Sequence, residues 1–434
     1  MQFNLDYKEY ELLKDKKIYI IIIGKLKNEI IIKYHNYSTI LNIKDLSILF
    51  EKSFDKIEEW YRIINSIFNE NKVYIKNIMD KTMELAFEKS KGIKAEIKLI
   101  NKNCISNDIS NISLYSDITK DSYTCFFNNT FIVFKTIDNL FYLVFRTKNS
   151  SIICLDLYRQ KTITEIKFIN NENITAFYHY LDEKNKMDLV MTISSMNNNL
   201  RIWNVKNWQC LLYINKVYNE NVLYSSCLLF ENTNRYIIVS NCNYFGDSEL
   251  IKVFDFNGNI IKEINESNDA TLLIDIYFDK NNEKNYIVTG NKNYLKSFDY
   301  NKNKVYHKYY EYYNGAHFNF VINEKDGIIN LIDSCEDGNL RIWNFHSGIL
   351  LKKIKISQQC LYDIILWNNN DLIIGCQDKT IRILDLSNYK IKKVLYGHNN
   401  HVITIKKIDH ILFGECLISH GFEDDQIKIW LFKS

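Results

Sequence analysis

The hexapeptide Asn-Leu-Arg-Ile-Trp-Asn occurs at Asn199–Asn204 and again at Asn339–Asn344, with degenerate copies at Thr380–Asp385 (TIRILD) and Ile427–Leu431 (IKIWL). In the second copy Leu340 and Ile342 alternate with Asn339 and Arg341, the period-two pattern of a strand, and Asp337-Gly338 supplies the turn that feeds it. The last residues of all such phrases are Asp156, Asn204, Asp255, Asp299, Asn344, Asp385 and Leu431, separated by 48, 51, 44, 45, 41 and 46 residues. One strand phrase at so regular an interval confines the chain to an array whose repeats bury their faces against one another. A period of about 40–45 residues with an aromatic–acid ending predicts a four-stranded propeller blade.

The sixth repeat contains a whole blade in outline: Leu361–Trp367, Asp371–Gln377, Thr380–Leu386 and Lys390–Tyr396. The first three are apolar, as strands packed between neighbouring blades must be. The fourth alternates, with Ile391 and Val394 expected inward and Lys390, Lys392 and Lys393 outward. The seventh repeat stops at Ser434, four residues after Trp430, and lacks a fourth strand of its own. An open ring would leave two bare edges, so residues near Thr119–Phe126 are expected to return and close it.

These phrases resemble the WD40 repeat family over about 119–434. The closest copies of its dipeptide are Trp203-Asn204, Trp343-Asn344 and Trp430-Leu431, and one Gly-His pair, Gly397-His398, precedes the last repeat. The resemblance implies an all-β, seven-bladed propeller in which Trp203, Asp337, Trp343, Asp378, His398, Asp424 and Trp430 are structural residues of the repeat. It also implies a buried relay from His398 to Trp430, with Asp424 as its acid and its hydroxyl place falling at Ser419 or His420. Partners are expected on the top face, where the loops leaving the outer strands lie.

Residues 1–100 are expected to form a separate small α+β domain. Ile18–Ile23 and Ile30–Tyr34 read as a hairpin, and Ile43–Phe50 as a short helix. Phe54, Ile57, Trp60, Ile63, Ile64, Ile67 and Phe68 fall on one face of a helix capped by Ser53. Three short strands follow, around Val73–Ile75, Met83–Phe87 and Ile93–Leu99. In element order this part is similar to an uncharacterised module that protist proteins carry before repeat domains. Residues 101–118, rich in Asn and Ser, read as a linker.

Composition narrows the function classes. Lys plus Arg number 55 against 52 Asp plus Glu, so the net charge is +3 and no strong field would gather nucleic acid. Proline is absent, and Ile, Lys, Asn and Tyr abound, which we read as AT-rich coding bias. The ten cysteines form no CxxC pair or zinc-type cluster, and Cys242, Cys335, Cys376 and Cys416 close apolar runs, the pattern of buried thiols in a reducing, cytoplasmic compartment. The longest aliphatic run, Ile18–Ile23, is far short of a membrane span of about 20 residues. No phosphate-cradling glycine loop, HExxH or GxSxG motif occurs, so no enzyme activity, cofactor or metal is expected.

What remains is a binding surface. Tyr306–Gly315 (YHKYYEYYNG) leads from the fourth outer strand into a top-face loop, and Tyr309, Tyr310, Tyr312 and Tyr313, with His317 and His401, are the candidate partner contacts. In a chain with thirty tyrosines the same run also fits ordinary rim packing. The expectation is a non-catalytic scaffold for protein–protein interactions. The alternatives are a substrate receptor of a ubiquitin ligase, which often carries an Arg where this chain has Lys206, His346 and Ser387, and an RNA-associated propeller.

Overall fold

The structure is a computed structural model. It describes the strands within 6–42, 73–101 and 112–117, the helical residues Arg62, Ile64 and Asn65, and 130–432 apart from short connecting stretches. Seven antiparallel strands form the N-terminal sheet: β1 (Asp6–Lys14), β2 (Lys17–Leu26), β3 (Glu29–Tyr34), β4 (Tyr37–Asn42), β5 (Val73–Ile78), β6 (Thr82–Glu88) and β7 (Lys94–Asn101). Their order is β1-β2-β3-β4-β7-β6-β5. The expected hairpin is β2–β3, where the fully buried Ile23 and Ile32 face each other across the ladder. The three later strands are β5, β6 and β7. Strands β1 and β4 were not foreseen, because DYKEYELLK and YSTILN carry little apolar alternation and gain their order from pairing with β2 and β3. Ile64 is buried and Arg62 exposed, in line with the predicted helix face, while Asn65, which that face does not include, is buried as well. Phe54, Ile57 and Trp60, and the helix proposed over 43–50, lie outside the described residues.

Residues 130–432 form a seven-bladed β-propeller. Each blade is an antiparallel four-stranded sheet, spanning 131–166, 176–214, 222–267, 273–310, 317–355, 361–395 and 402–432. The first strand of each blade lies innermost, against the first strands of its neighbours. Middle strands are almost wholly buried, as in Asp371–Cys376 and Tyr294–Asp299, because a blade is covered on both faces. Fourth strands are mostly exposed. Apolar clusters therefore sit between blades: Trp343 and Phe345 of the fifth blade pack with Tyr277, Tyr286 and Tyr309 of the fourth, and Trp430 packs with Trp367, Ile373 and Ile383 of the sixth. Cys335, Cys376 and Cys416 are fully buried free thiols, and burial pushes Cys335 and Cys376 up to about 12.

The ring closes between the seventh and first blades, whose innermost strands adjoin, with Thr404 Oγ1 3.1 Å from Thr130 Oγ1. The closing fourth strand of the seventh blade is β8 (Ile112–Asp117), paired antiparallel with Ile427–Phe432. This corrects the expectation of Thr119–Phe126, which lies outside the described residues, and it puts a strand inside the segment read as a linker. In β8 (ISLYSD), Ile112 and Leu114 alternate with Ser113, but the Asn/Ser-rich surroundings mask that pattern.

One feature recurs in all seven blades. The ladder between third and fourth strands slips by one residue just before the penultimate position of the repeat phrase: at Leu155, Trp203, Phe254, Phe298, Trp343, Leu384 and Trp430. Such a bulge leaves one residue of the partner strand unpaired and re-aims its side chain. The extra residues include Ile163, Leu211, Ile261, Leu351 and Lys392. The first four are large, apolar and exposed. The slip also explains why Ile391 is exposed, against the alternation expected, while Leu395 is buried.

Candidate interaction face

Connections from fourth to first strands share one face of the ring with turns from second to third strands. Two kinds of polar network brace this face from below. In the seventh blade, Asp424 lies in the second turn, and His398 Nδ1–H donates to its Oδ2 at 2.7 Å. Ser419 Oγ–H donates to His398 Nε2, also at 2.7 Å, and Trp430 Nε1–H donates to Ser419 Oγ. The hydroxyl place is thus filled by Ser419 and the relay is complete. His420 turns the other way, to Asp424 O (3.0 Å) and toward Thr130 of the first blade (3.4 Å). Gly421 is required here, since a Cβ would stand 2.2 Å from Asp424 Oδ2.

The fifth blade builds a related brace from different positions. Trp343 Nε1–H donates to Asp333 Oδ1 at 2.8 Å, and His317 Nδ1–H donates to Asp333 Oδ2 at 2.5 Å. Asp333 stands where the seventh blade has Ser419, opposite Arg341 as Ser419 is opposite Lys428. Its histidine is the first residue of an inner strand, not part of the preceding loop. In the second blade Trp203 Nε1–H donates to Thr192 Oγ1 at 3.0 Å. Both His–Asp pairs are buried and end on an indole, a satisfied structural arrangement.

His317 is therefore corrected from partner contact to core. Tyr309 is corrected likewise: it is fully buried, its Oη–H donates to Phe345 O at 2.8 Å, and Ser297 Oγ–H donates to it at 3.0 Å. Strand alternation turns the next residue outward, so Tyr310 is 51% exposed, and Tyr312 in the following loop is 95% exposed. Tyr313 lies outside the described residues.

Between these two tyrosines, Glu311 is pinned. Arg341 Nε–H donates to Glu311 Oε2 at 2.8 Å, and Lys353 Nζ lies 2.8 Å from the same oxygen. The guanidinium, 1% exposed, also donates to both oxygens of Asp337, at 3.1 and 2.7 Å. Burial of Asp337 disfavours its charge, but hydrogen bonds from Arg341 and Asn339 outweigh that and hold its carboxyl at about 2. The turn carrying Asp337 needs Gly338, whose φ of +73° and 2.2 Å approach to Ser357 O leave no room for a side chain. Asp378 plays the turn role in the sixth blade, accepting from Thr380 and Arg382.

Farther round the same face, His401 lies between Tyr362 and Phe422, with ring centroids 5.9 and 6.4 Å away and interplanar angles of 16° and 25°. Burial, and secondarily Lys379, lower its pKa and favour the neutral ring. Its Nδ1 is buried without a hydrogen-bond partner. Tyr396, 73% exposed, leaves the sixth outer strand as Tyr312 leaves the fourth; the sequence reading missed it. A lone Tyr before Gly397-His398 carried no signal beyond its place in the loop.

The outer-strand lysines are largely engaged within the protein. Lys353 meets Glu311, Lys392 meets Asp371 at 2.6 Å, and Lys308 lies 3.6 Å over the ring of Tyr294. Among the described residues no three His, Cys, Asp or Glu side chains gather as metal ligands, and no helix is long and apolar enough to cross a membrane.

No family model matches the chain. Over 100 residues, 23% of its length, the chain is 27% identical to the U3 small nucleolar RNA-associated protein 21 homolog of Schizosaccharomyces pombe, and the match spans 11% of that protein. The protein is a seven-bladed β-propeller with a stretch similar to one in that larger protein.

Proposed function

We propose that the protein is a WD40-type scaffold without catalysis of its own, which docks another protein on the face bearing Tyr310, Tyr312, Tyr396 and His401. The observation that carries this reading is Tyr312, a large aromatic side chain almost wholly in solvent beside a residue held by Arg341 and Lys353. A tyrosine has only two side-chain torsions to freeze on binding, which is why it contributes heavily to interfaces. Tyr313, next but one in sequence to Glu311, is kept as a candidate contact on the sequence alone. The reading assigns the N-terminal 1–100 to a separate domain and places the protein in a reducing compartment such as the cytoplasm, consistent with its buried free thiols. The test is quantitative affinity purification with the intact protein and with a Tyr310→Ala/Tyr312→Ala/Tyr396→Ala variant. A partner recovered stoichiometrically by the first and at least tenfold less by the folded variant supports the reading. Equal recovery by both refutes it.

A second reading, a propeller within an RNA-associated assembly, is favoured by the name of the S. pombe relative alone. Direct RNA contact would give an affinity falling steeply with salt. The engagement of Lys353 and Lys392 with carboxylates weighs against the outer strands as its site.

A further inference from the structure

On the opposite face, between the outer strand of the fifth blade and the turn before Lys390 of the sixth, lies a cavity of ≈ 290 Å³. Its apolar walls are Ile328, Leu351 and Tyr389, over the buried Ile342. Ile328 and Leu351 are each about half exposed (49% and 51%). Leu351 is the extra residue of the fifth blade's bulge, so the backbone slip itself turns it outward. The volume is near the lower limit of ligand pockets, about 300 Å³, and suits one or two side chains better than a cofactor.

Both charged residues that line this cavity, Lys325 and Lys352, are cations. Lys352 Nζ lies 4.8 Å over the Tyr389 ring, and Lys325 Nζ–H donates to Asn370 Oδ1 at 3.2 Å. Among the described residues neither ammonium meets a carboxylate, whereas the adjacent Lys353 and the nearby Lys392 do. Apolar walls flanked by two cations that pair with no described carboxylate complement one chemistry: an apolar side chain carried between carboxylates. A nucleic acid would match the lysines but would leave the aliphatic walls of Ile328 and Leu351 without a partner of their kind.

We propose that this cavity docks a short acidic protein segment anchored by one aliphatic or aromatic side chain. The site is separate from the tyrosine-bearing face and does not depend on it.

The test uses the full chain and a random dodecapeptide library displayed on phage, with counterselection against Leu351→Glu/Lys352→Glu. The expected result is enrichment of peptides with Asp or Glu on both sides of a Leu, Ile or Phe. In fluorescence anisotropy these peptides should bind Leu351→Glu/Lys352→Glu and Tyr389→Ala at least tenfold more weakly, and bind Tyr312→Ala as they bind the unaltered chain. All the substituted side chains are at least partly exposed, and thermal melts confirm folding. No enrichment, enrichment without acidic bias, equal binding to the cavity variants, or displacement of the peptide by oligouridylate would each overturn the proposal.

Discussion

Replacing Arg341 by Met should destabilise the propeller by about 3 kcal/mol. The guanidinium is 1% exposed and its partner Asp337 retains 8% side-chain exposure, so the pair is buried and water cannot take the place of the lost cation. Holding the Asp337 carboxyl at about 2 instead of 3.8 is equivalent to about 2.5 kcal/mol in favour of the ionised folded state, of which Arg341 supplies the largest part and Asn339 the rest. Glu311 is more exposed and keeps Lys353, so its share is below about 1 kcal/mol. The sum agrees with the roughly 3–5 kcal/mol lost when one member of a buried ion pair is removed. The assay is equilibrium urea unfolding followed by both tryptophan fluorescence and circular dichroism, whose coincidence checks that one transition is being measured. A depressed carboxyl contributes stability that is present above its unfolded value near 4 and is lost as pH falls toward 2. The intact protein should therefore lose this increment between pH 4 and 2, and Arg341→Met should lose only the smaller part that the Asn339 hydrogen bonds sustain. In a double-mutant cycle, Asp337→Asn should cost much less in the Arg341→Met background than alone. A cost below about 1 kcal/mol for Arg341→Met, or additive costs in the cycle, would refute the argument.

Two further outcomes follow from the same structure. Ser419→Ala removes both bonds at the centre of the seventh blade's relay and takes the hydroxyl partner from the buried His398 Nε2 and Trp430 Nε1. It should cost about 2–4 kcal/mol in urea unfolding, and Ser419→Thr, which keeps the hydroxyl, should recover most of that; equal stability of the Ala and Thr variants contradicts the relay. Deleting 112–117 strips the ladder from Ile427–Phe432 and opens the ring, so cooperative unfolding of all seven blades should be lost. A single unfolding transition at an unchanged midpoint would show that closure is not made there.

The fold was legible because the propeller is a local motif repeated. Each copy of the phrase holds its own alternation and turn, and the errors of one copy are corrected by the register of the others. Single blades could be drawn strand by strand, as the sixth was, to within a residue or two. The site was less legible. In Lys308–Tyr312 the chain reads Lys-Tyr-Tyr-Glu-Tyr, and composition gives no reason to separate Tyr309, whose hydroxyl reaches Phe345 of the next blade, from Tyr310 beside it. His317 likewise looks like a loop histidine until Asp333, sixteen residues on, is brought against it.

The sequence by itself determined how many blades there are, which phrases become the buried third strands, and where the turns fall, since these depend on residues within a few positions of one another. Only the tertiary structure decided which strand closes the ring, which tyrosines face solvent, and that Leu351 and its counterparts point outward. Those outcomes rest on pairing between distant segments, β8 with Ile427–Phe432 and fourth-blade tyrosines with the fifth blade, and on a one-residue slip between neighbouring strands. A slip of one residue reverses the face of every side chain beyond it, and the alternation within a strand carries no record of the register its neighbour will adopt.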